Sequence, residues 1–245
     1  MTQPFLTGGR THVITGAASG IGKVLAQELA ARGDRLILLV RSEDRVDEVA
    51  RAVPSYDRVL VADLADTQAL AELAPRLLSG RPEIGQVDSL VHVAGVVDLD
   101  PVSSFDLGQW QEQLAVNLTA PAVLTQALLP QLRAARGTVV FVNSSAGLSA
   151  SADWSAYAAS KSGLRALADS LRAEEVEHGV RVTSVFPSRT ATPMQEKVHE
   201  REGRTYDASR WLDPATVVDT ILHVLDLPQD ATIPEVTVRP VLPRA

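Results

Sequence analysis

Short apolar runs rich in Val, Ile and Leu alternate along this chain with longer segments whose apolar residues recur every three or four positions. Runs of the first kind, at 11–15, 35–40, 58–61, 89–93, 138–143, 181–186 and 236–238, have the length of strands. Segments of the second kind, at 21–32, 68–79, 110–132, 155–178 and 214–225, have the period of amphipathic helices. A strand joined to the next by a helix of this length returns parallel through a right-handed crossover, and helices come to cover both faces of the sheet. Strands buried on both faces explain runs that are nearly continuous in apolar residues instead of alternating with polar ones. The expected fold class is α/β: three layers, with a doubly wound, seven-stranded parallel sheet between two layers of helices. The rhythm runs from Arg10 to Pro240 without a long linker or an internal repeat, which predicts one domain over 1–245. One stretch, 188–210, breaks it: polar, without a candidate strand and more than 20 residues long, it is expected to be a mobile segment that covers the substrate.

Composition narrows the chemistry. The chain has 245 residues and no cysteine, which removes disulfides, iron–sulfur clusters, thiolate zinc sites and a cysteine nucleophile; no metal site is expected. With 23 basic and 30 acidic residues the net charge is -7, and the acids are scattered, so nucleic acid is an unexpected partner. The longest apolar runs, 36–40 and 139–142, fall far short of the roughly 20 residues of a membrane span, so no membrane partner is expected. Residues 1–9 lack the basic and apolar regions of a signal peptide, which favours a cytoplasmic location.

Ligands of an open α/β sheet bind beyond the carboxyl ends of its strands, so chemistry is sought just after each apolar run. The first run leads into Gly16-Ala17-Ala18-Ser19-Gly20-Ile21-Gly22 and then a helical segment. Glycine permits positive φ and close approach of a ligand to the backbone, while a helix N-terminus offers free N–H groups and partial positive charge to a pyrophosphate. Gly16, Ser19, Gly20, Ile21 and Gly22 are thus candidate dinucleotide-binding residues, although the spacing GxxxGxG departs from the commoner GxGxxG and a ligand-free turn is the plainer alternative. The second run ends in Val40-Arg41-Ser42, about 20 residues on, where an acidic residue normally takes a ribose 2′-hydroxyl. With no carboxylate at Val40, NADP(H) is favoured over NAD(H), Arg41 being the charge partner of a 2′-phosphate and Ser42 a hydrogen-bond donor. Against this, Arg41 could be merely solvated, and Glu43 and Asp44 partly oppose a phosphate.

The segment after Trp154 carries Tyr157-Ala158-Ala159-Ser160-Lys161, whose spacing of four puts phenol and ammonium on one helix face. A nearby cation is expected to lower the tyrosine pKa from about 10 toward neutrality, making Tyr157 a candidate general acid/base. The preceding run ends in Asn143-Ser144-Ser145, thirteen and twelve residues before the tyrosine for the two serines, which brings hydroxyls to the same edge.

Together, in this order along the chain, the glycine turn, the serine and Tyr-x-x-x-Lys resemble the short-chain dehydrogenase/reductase family over essentially the whole sequence. The resemblance implies a Rossmann fold and an NAD(P)-dependent oxidoreductase that interconverts a ketone or aldehyde and an alcohol. It implies that Ser144 polarises the substrate oxygen, Tyr157 transfers the proton, and Lys161 holds the nicotinamide ribose and depresses the tyrosine pKa. Asn117 would support a water-linked proton relay, and Asp63-Leu64 would meet the adenine. Plainer alternatives stand beside these: Asn117 as a buried amide bonded to backbone, Asp63 as a helix cap, and Ser145 in place of Ser144, although the thirteen-residue offset favours Ser144.

Two departures from the family pattern are visible. The usual Asn-Asn-Ala-Gly is His92-Val93-Ala94-Gly95, so Ala94 and Gly95 still make room for the cofactor, while the lost amide hydrogen bonds must come from elsewhere, His92 being one source. The usual Pro-Gly is Pro187-Ser188, followed by Thr190 and by Thr192 where the family meets the nicotinamide carboxamide. Leu148, Trp154, Phe186 and Met194, with Ser144 and Tyr157, suggest an apolar substrate pocket, and ordinary core packing is the alternative. An epimerase or dehydratase and a dinucleotide-binding regulatory protein without turnover are the competing functions. A homodimer or homotetramer is implied by resemblance, through the segments 110–132 and 155–178.

Overall fold

A computed structural model describes residues 9–78 and 85–241. All seven strands lie in one parallel sheet: β1 (Thr11–Thr15), β2 (Arg35–Val40), β3 (Arg58–Val61), β4 (Ser89–His92), β5 (Thr138–Val142), β6 (Arg181–Pro187) and β7 (Glu235–Val238). Their spatial order is β3-β2-β1-β4-β5-β6-β7, so β1 pairs with β2 on one side and with β4 on the other. The expected doubly wound sheet is the observed one, and each strand lies within a residue of its predicted ends.

The alternation of side chains across a strand distributes the core between two layers. Val13, Ile37, Leu39, Leu90, Val139, Phe141 and Val182 point to one face, under α3 (Thr67–Leu73), α5 (Ala120–Ala135) and α6 (Ser155–Glu175). Ile14, Leu36, Leu38, Val40, Val91, Val140, Val142 and Val185 point to the other, under α1 (Gly20–Ala31), α2 (Glu43–Ala52) and α8 (Pro214–Leu225). Helices on both faces satisfy the apolar strands from both sides, which closes the three-layer arrangement.

Four helical assignments differ from the sequence pattern. The predicted helix 68–79 ends at Leu73 and continues as a 3-10 turn, Ala74–Arg76; its last residue, Ser79, lies outside the described residues. The predicted helix 110–132 begins earlier, as α4 (Leu107–Leu114) capped by Asp106, and passes through a π-helical stretch, Ala115–Thr119, before α5. Residues 43–52, strongly charged, fold as α2 with only Val49 buried, a pattern too polar to mark a helix by apolar period. The segment 188–210 contains α7 (Pro193–Arg201), started by Pro193 and by the Thr192 hydroxyl accepting from the Gln195 N–H.

Among the described residues, no helix is long and apolar enough to cross a membrane. Leu124, fully buried on α5 against the sheet, tests the packing: Leu124→Ala should lower the unfolding free energy by about 2–5 kcal/mol. In urea denaturation this appears as a lower midpoint with an unchanged slope.

Candidate active site

Helices leave β1 and β4 toward opposite faces, and at their carboxyl ends the sheet opens into a cleft of about 1310 Å³. That exceeds the roughly 300–1,000 Å³ of an ordinary small-molecule site and leaves room for a dinucleotide and a second reactant.

The glycine turn forms one wall. Gly16 has φ +73°, and a Cβ there would stand 2.9 Å from the backbone of Ala94, so both backbone sign and space require glycine. A Cβ on Gly22 would run into the Gly16 carbonyl; this residue serves the closeness of turn and helix and does not itself reach the cleft. Ser19 stands at the N-cap of α1 in extended conformation without a side-chain cap bond. The first N–H groups of α1 are therefore left for a ligand, with the helix dipole behind them, and Gly16, Ser19, Gly20 and Ile21 line the cleft there. Ala94 and Gly95 face them, and Thr15, unremarked in the sequence, accepts from the N–H groups of Val93 and Ala94 at 3.1 Å each through its hydroxyl. These bonds fix the loop that carries the missing family amides.

His92 does not supply them. It is buried, stacked on Phe141 at 5.0 Å and bonded through Nε2 to the Thr125 hydroxyl at 2.9 Å. Burial and the Lys161 charge push its pKa down to about 3, so it stays neutral.

At the end of the cleft beyond β2 and β3, Arg41, Asp63 and Leu64 line the wall. Asp63 accepts from the Ala65 N–H at 3.0 Å, while the cap of α3 is Asp66, so the capping alternative belongs to the later residue. Ser42 is not on the cleft wall; its hydroxyl favours the Asp44 carboxylate and holds that group below its ordinary pKa. Arg45 takes its place on the wall, a residue the strand-end rule did not reach because α2 brings it back one turn later; Glu48 holds its guanidinium at 2.7 Å.

The centre of the cleft is built by β5 and α6. Ser144, Ser145, Tyr157 and Lys161 all line it. Asn143 ties the two elements, its amide donating to the Lys161 carbonyl at 3.0 Å while its oxygen accepts the Ser144 N–H at 2.8 Å. The Ser144 hydroxyl accepts from the Ala146 N–H at 3.2 Å and lies close enough to Tyr157 to favour its ionised form. Lys161 is 3% exposed; its Nζ donates to the Val142 carbonyl at 3.0 Å and lies 5.8 Å from the Tyr157 ring centroid. The expected drop in the tyrosine pKa is not what this arrangement produces. Burial pushes Tyr157 up to about 12, only partly offset by Ser144, and burial likewise pushes Lys161 down to about 8.

Asn117 lies in the π-helical stretch, fully buried behind the cleft wall. Its amide exchanges 2.8 Å bonds with the N–H and carbonyl of Val96 and donates to the Ser160 hydroxyl at 3.0 Å. The side chain thus has the bonding of a structural clamp.

Pro187, Thr190, Thr192, Met194 and Trp154 close the far side, together with Val97, Leu99 and Arg189, which the sequence did not single out. Two expected pocket residues are elsewhere. Phe186 is fully buried in β6 with the Arg165 guanidinium 5.9 Å above its ring, because its strand position turns it toward the α6 layer. Leu148 is 38% exposed outside the cleft, on the 3-10 turn that follows Ser144.

Comparison with known proteins bears on this cleft. The model of the short chain dehydrogenase family matches residues 10–203. An oxidoreductase of Staphylococcus epidermidis is 28% identical over 95% of this chain and 97% of its own. The crystal structure of the Escherichia coli oxidoreductase YciK superposes with a TM-score of 0.83 at 30% identity, covering 98% of this chain and 99% of that one. A metagenomic short-chain oxidoreductase in complex with NADP superposes at 0.78 with 30% identity, over 98% and 100% of the two chains.

The buried lysine makes a measurable demand on stability. Unfolded, Lys161 keeps its proton up to about 10.5; folded, it loses it near about 8. Between these values the unfolded chain binds more protons, so this group makes stability rise with pH. In urea denaturation the wild type should gain on the order of 1–3 kcal/mol relative to Lys161→Met across that window. Parallel pH curves for the two proteins would refute the buried ammonium.

Proposed function

The chain belongs to the short chain dehydrogenase family, and from that premise we propose that it is an NADP(H)-preferring oxidoreductase that interconverts a ketone or aldehyde and the corresponding alcohol. The observation that carries this reading is the convergence of Ser144, Tyr157 and Lys161 on the same cleft as the glycine turn. The turn fits a dinucleotide: an uncapped helix start, a backbone stripped of side chain at Gly16, and two cations, Arg41 and Arg45, at the adenosine end. The NADP-bound structure of the metagenomic relative supports the same cofactor class.

The bound nicotinamide would supply or accept a hydride; the chain's own groups handle the proton and the geometry. The Tyr157 phenol, neutral with a pKa of about 12, donates its proton to the substrate oxygen as negative charge develops there during reduction. The Ser144 hydroxyl, beside that phenol on the cleft wall, holds the same oxygen in place. Lys161, an ammonium of depressed pKa tethered to Val142, lies ready to donate to a ribose hydroxyl and to favour the phenolate left after proton transfer. Asn117 fixes Val96 on the wall and Ser160 on the catalytic helix, a supporting role and not itself a contact with the reactants. Pro187, Thr190 and Thr192 approach the nicotinamide end, Trp154 and Met194 bound the substrate space, and the segment 188–210 serves as its cover. Small carbonyl or alcohol compounds are the partners, with a homodimer or homotetramer as the working assembly.

Tyr157→Phe removes the donor hydroxyl and leaves the ring. It should lower kcat for carbonyl reduction by about 100- to 10000-fold while NADPH still binds, as read by fluorescence titration; an active variant would overturn the mechanism. Arg41→Ala with Arg45→Ala should raise the NADPH KM at least about tenfold and leave the NADH KM nearly unchanged, since charge-assisted bonds to phosphate are lost and none to a free hydroxyl. Equal effects on both cofactors would sink the NADP preference.

A further inference from the structure

The segment after β6 is organised around one guanidinium. Arg189 donates to both carboxylate oxygens of Glu202 at 2.8 and 2.5 Å, and this pairing holds the glutamate below its ordinary pKa. The same guanidinium lies over two indoles, 5.7 Å from the Trp154 ring centre and 5.5 Å from that of Trp211. A planar, weakly hydrated cation suits this double duty, bidentate at its edge and stacked on its face, in a way a lysine ammonium does not. The contacts join three parts of the chain. Glu202 ends α7, Trp211 follows the next turn, and Trp154 is the N-cap residue of α6.

Trp154 is what gives this arrangement a consequence for chemistry. Its ring meets the Tyr157 ring edge-on at 5.7 Å, and its backbone is held against Asp100 beside Asp153, a residue at φ +68°. On the other side, Trp211 packs on His199 of α7 at 5.0 Å, and the backbone closes by a bridge between Thr190 and Leu212. The cover and the start of the catalytic helix thus meet in a single side chain that also lines the cleft.

We propose that Arg189 is a positioning residue that couples the 188–212 cover to Tyr157, setting the tyrosine by holding Trp154 when the cover is seated. The inference rests on the oxidoreductase reading. Arg189 acts through the indole and does not itself touch the reacting atoms.

The test compares wild type, Arg189→Lys, Arg189→Ala and Glu202→Gln, with NADPH and the carbonyl compound that the wild type reduces fastest. Arg189→Lys keeps the charge and loses the planar fork, so its kcat should fall at least about tenfold while the carbonyl KM and the NADPH Kd stay within about threefold. Glu202→Gln, the milder change, should move kcat in the same direction. A kcat within twofold of wild type in Arg189→Lys would overturn the proposal, and so would a raised KM with kcat intact, which would make Arg189 a substrate contact. A second arm needs no turnover. In a Trp110→Phe background only Trp154 and Trp211 emit, and Arg189→Ala should increase their quenching by acrylamide at least about twofold. Unchanged quenching would show that the guanidinium does not cover the indoles and would also overturn the proposal. A wild type that reduces no carbonyl compound, yet shows the expected quenching, would instead remove the oxidoreductase reading and, with it, the coupling to Tyr157.

Discussion

Strand β1 shares its hydrogen bonds between β2 on one side and β4 on the other, in register with both, and the helices that follow β1 and β4 run to opposite faces of the sheet. Right-handed connections on parallel strands make this splitting unavoidable wherever the order reverses, and no helix can fill the gap at the strands' carboxyl ends. The cleft is therefore a consequence of topology before any side chain is chosen. What the sequence adds is how close its walls come: Gly16 lets the turn touch Ala94, and the Thr15 hydroxyl pins the loop after β4 from the strand beneath. Everything of chemical interest, from the helix start at Gly20 to Ser144 and Tyr157, hangs from strand ends that this division of β1 brings side by side.

Burial then decides the electrostatics of the centre. Tyr157 and Lys161 share a helix face four residues apart, and the lysine Nζ, donating to the Val142 carbonyl, lies 5.8 Å from the tyrosine ring centroid. Desolvation disfavours both charged forms, which moves the two pKa values toward the states phenol and amine. A neutral phenol is the right species to give up a proton during reduction. The lysine value near about 8 leaves the ammonium sensitive to any anion or hydroxyl that arrives with a ligand. The centre of the cleft thus holds a neutral phenol beside a cation that answers to what fills the cleft.

The inner strands β1, β2, β4, β5 and β6 were legible because both their faces are buried, so that apolar runs bounded by turns survive as a pattern, while the half-exposed edge strand β7 was marked by Val236 and Val238 alone. That Gly16, Arg41, Asp63, Ala94 and Ser144 line the cleft was legible for a related reason: each lies within two residues of a strand end, and strand ends are where this topology opens. What could not be read depends on contacts across the chain. The Tyr157 pKa runs opposite to the expectation because spacing places a lysine on the right face without showing that burial raises the phenol. Phe186 was assigned to the pocket although the strand period turns it toward α6, and Ser42 was assigned to the cofactor although Asp44, two residues on, takes its hydroxyl. Arg45 escaped because it sits on α2, whose single buried residue gives no apolar period.

The same reasoning explains why 188–210 read as a gap. Its order comes from ion pairing and ring stacking among Arg189, Glu202, His199, Tyr206 and Trp211, and such contacts leave no periodic trace in a sequence. A segment built on aliphatic packing would have to bury apolar surface to stay in place, and would stay there with or without a ligand. One built on a partly exposed ion pair and two cation–π contacts is held by a few contacts of modest strength. Because those contacts reach Trp154 at the N-cap of α6, the order of the segment and the position of that indole draw on the same small set of interactions.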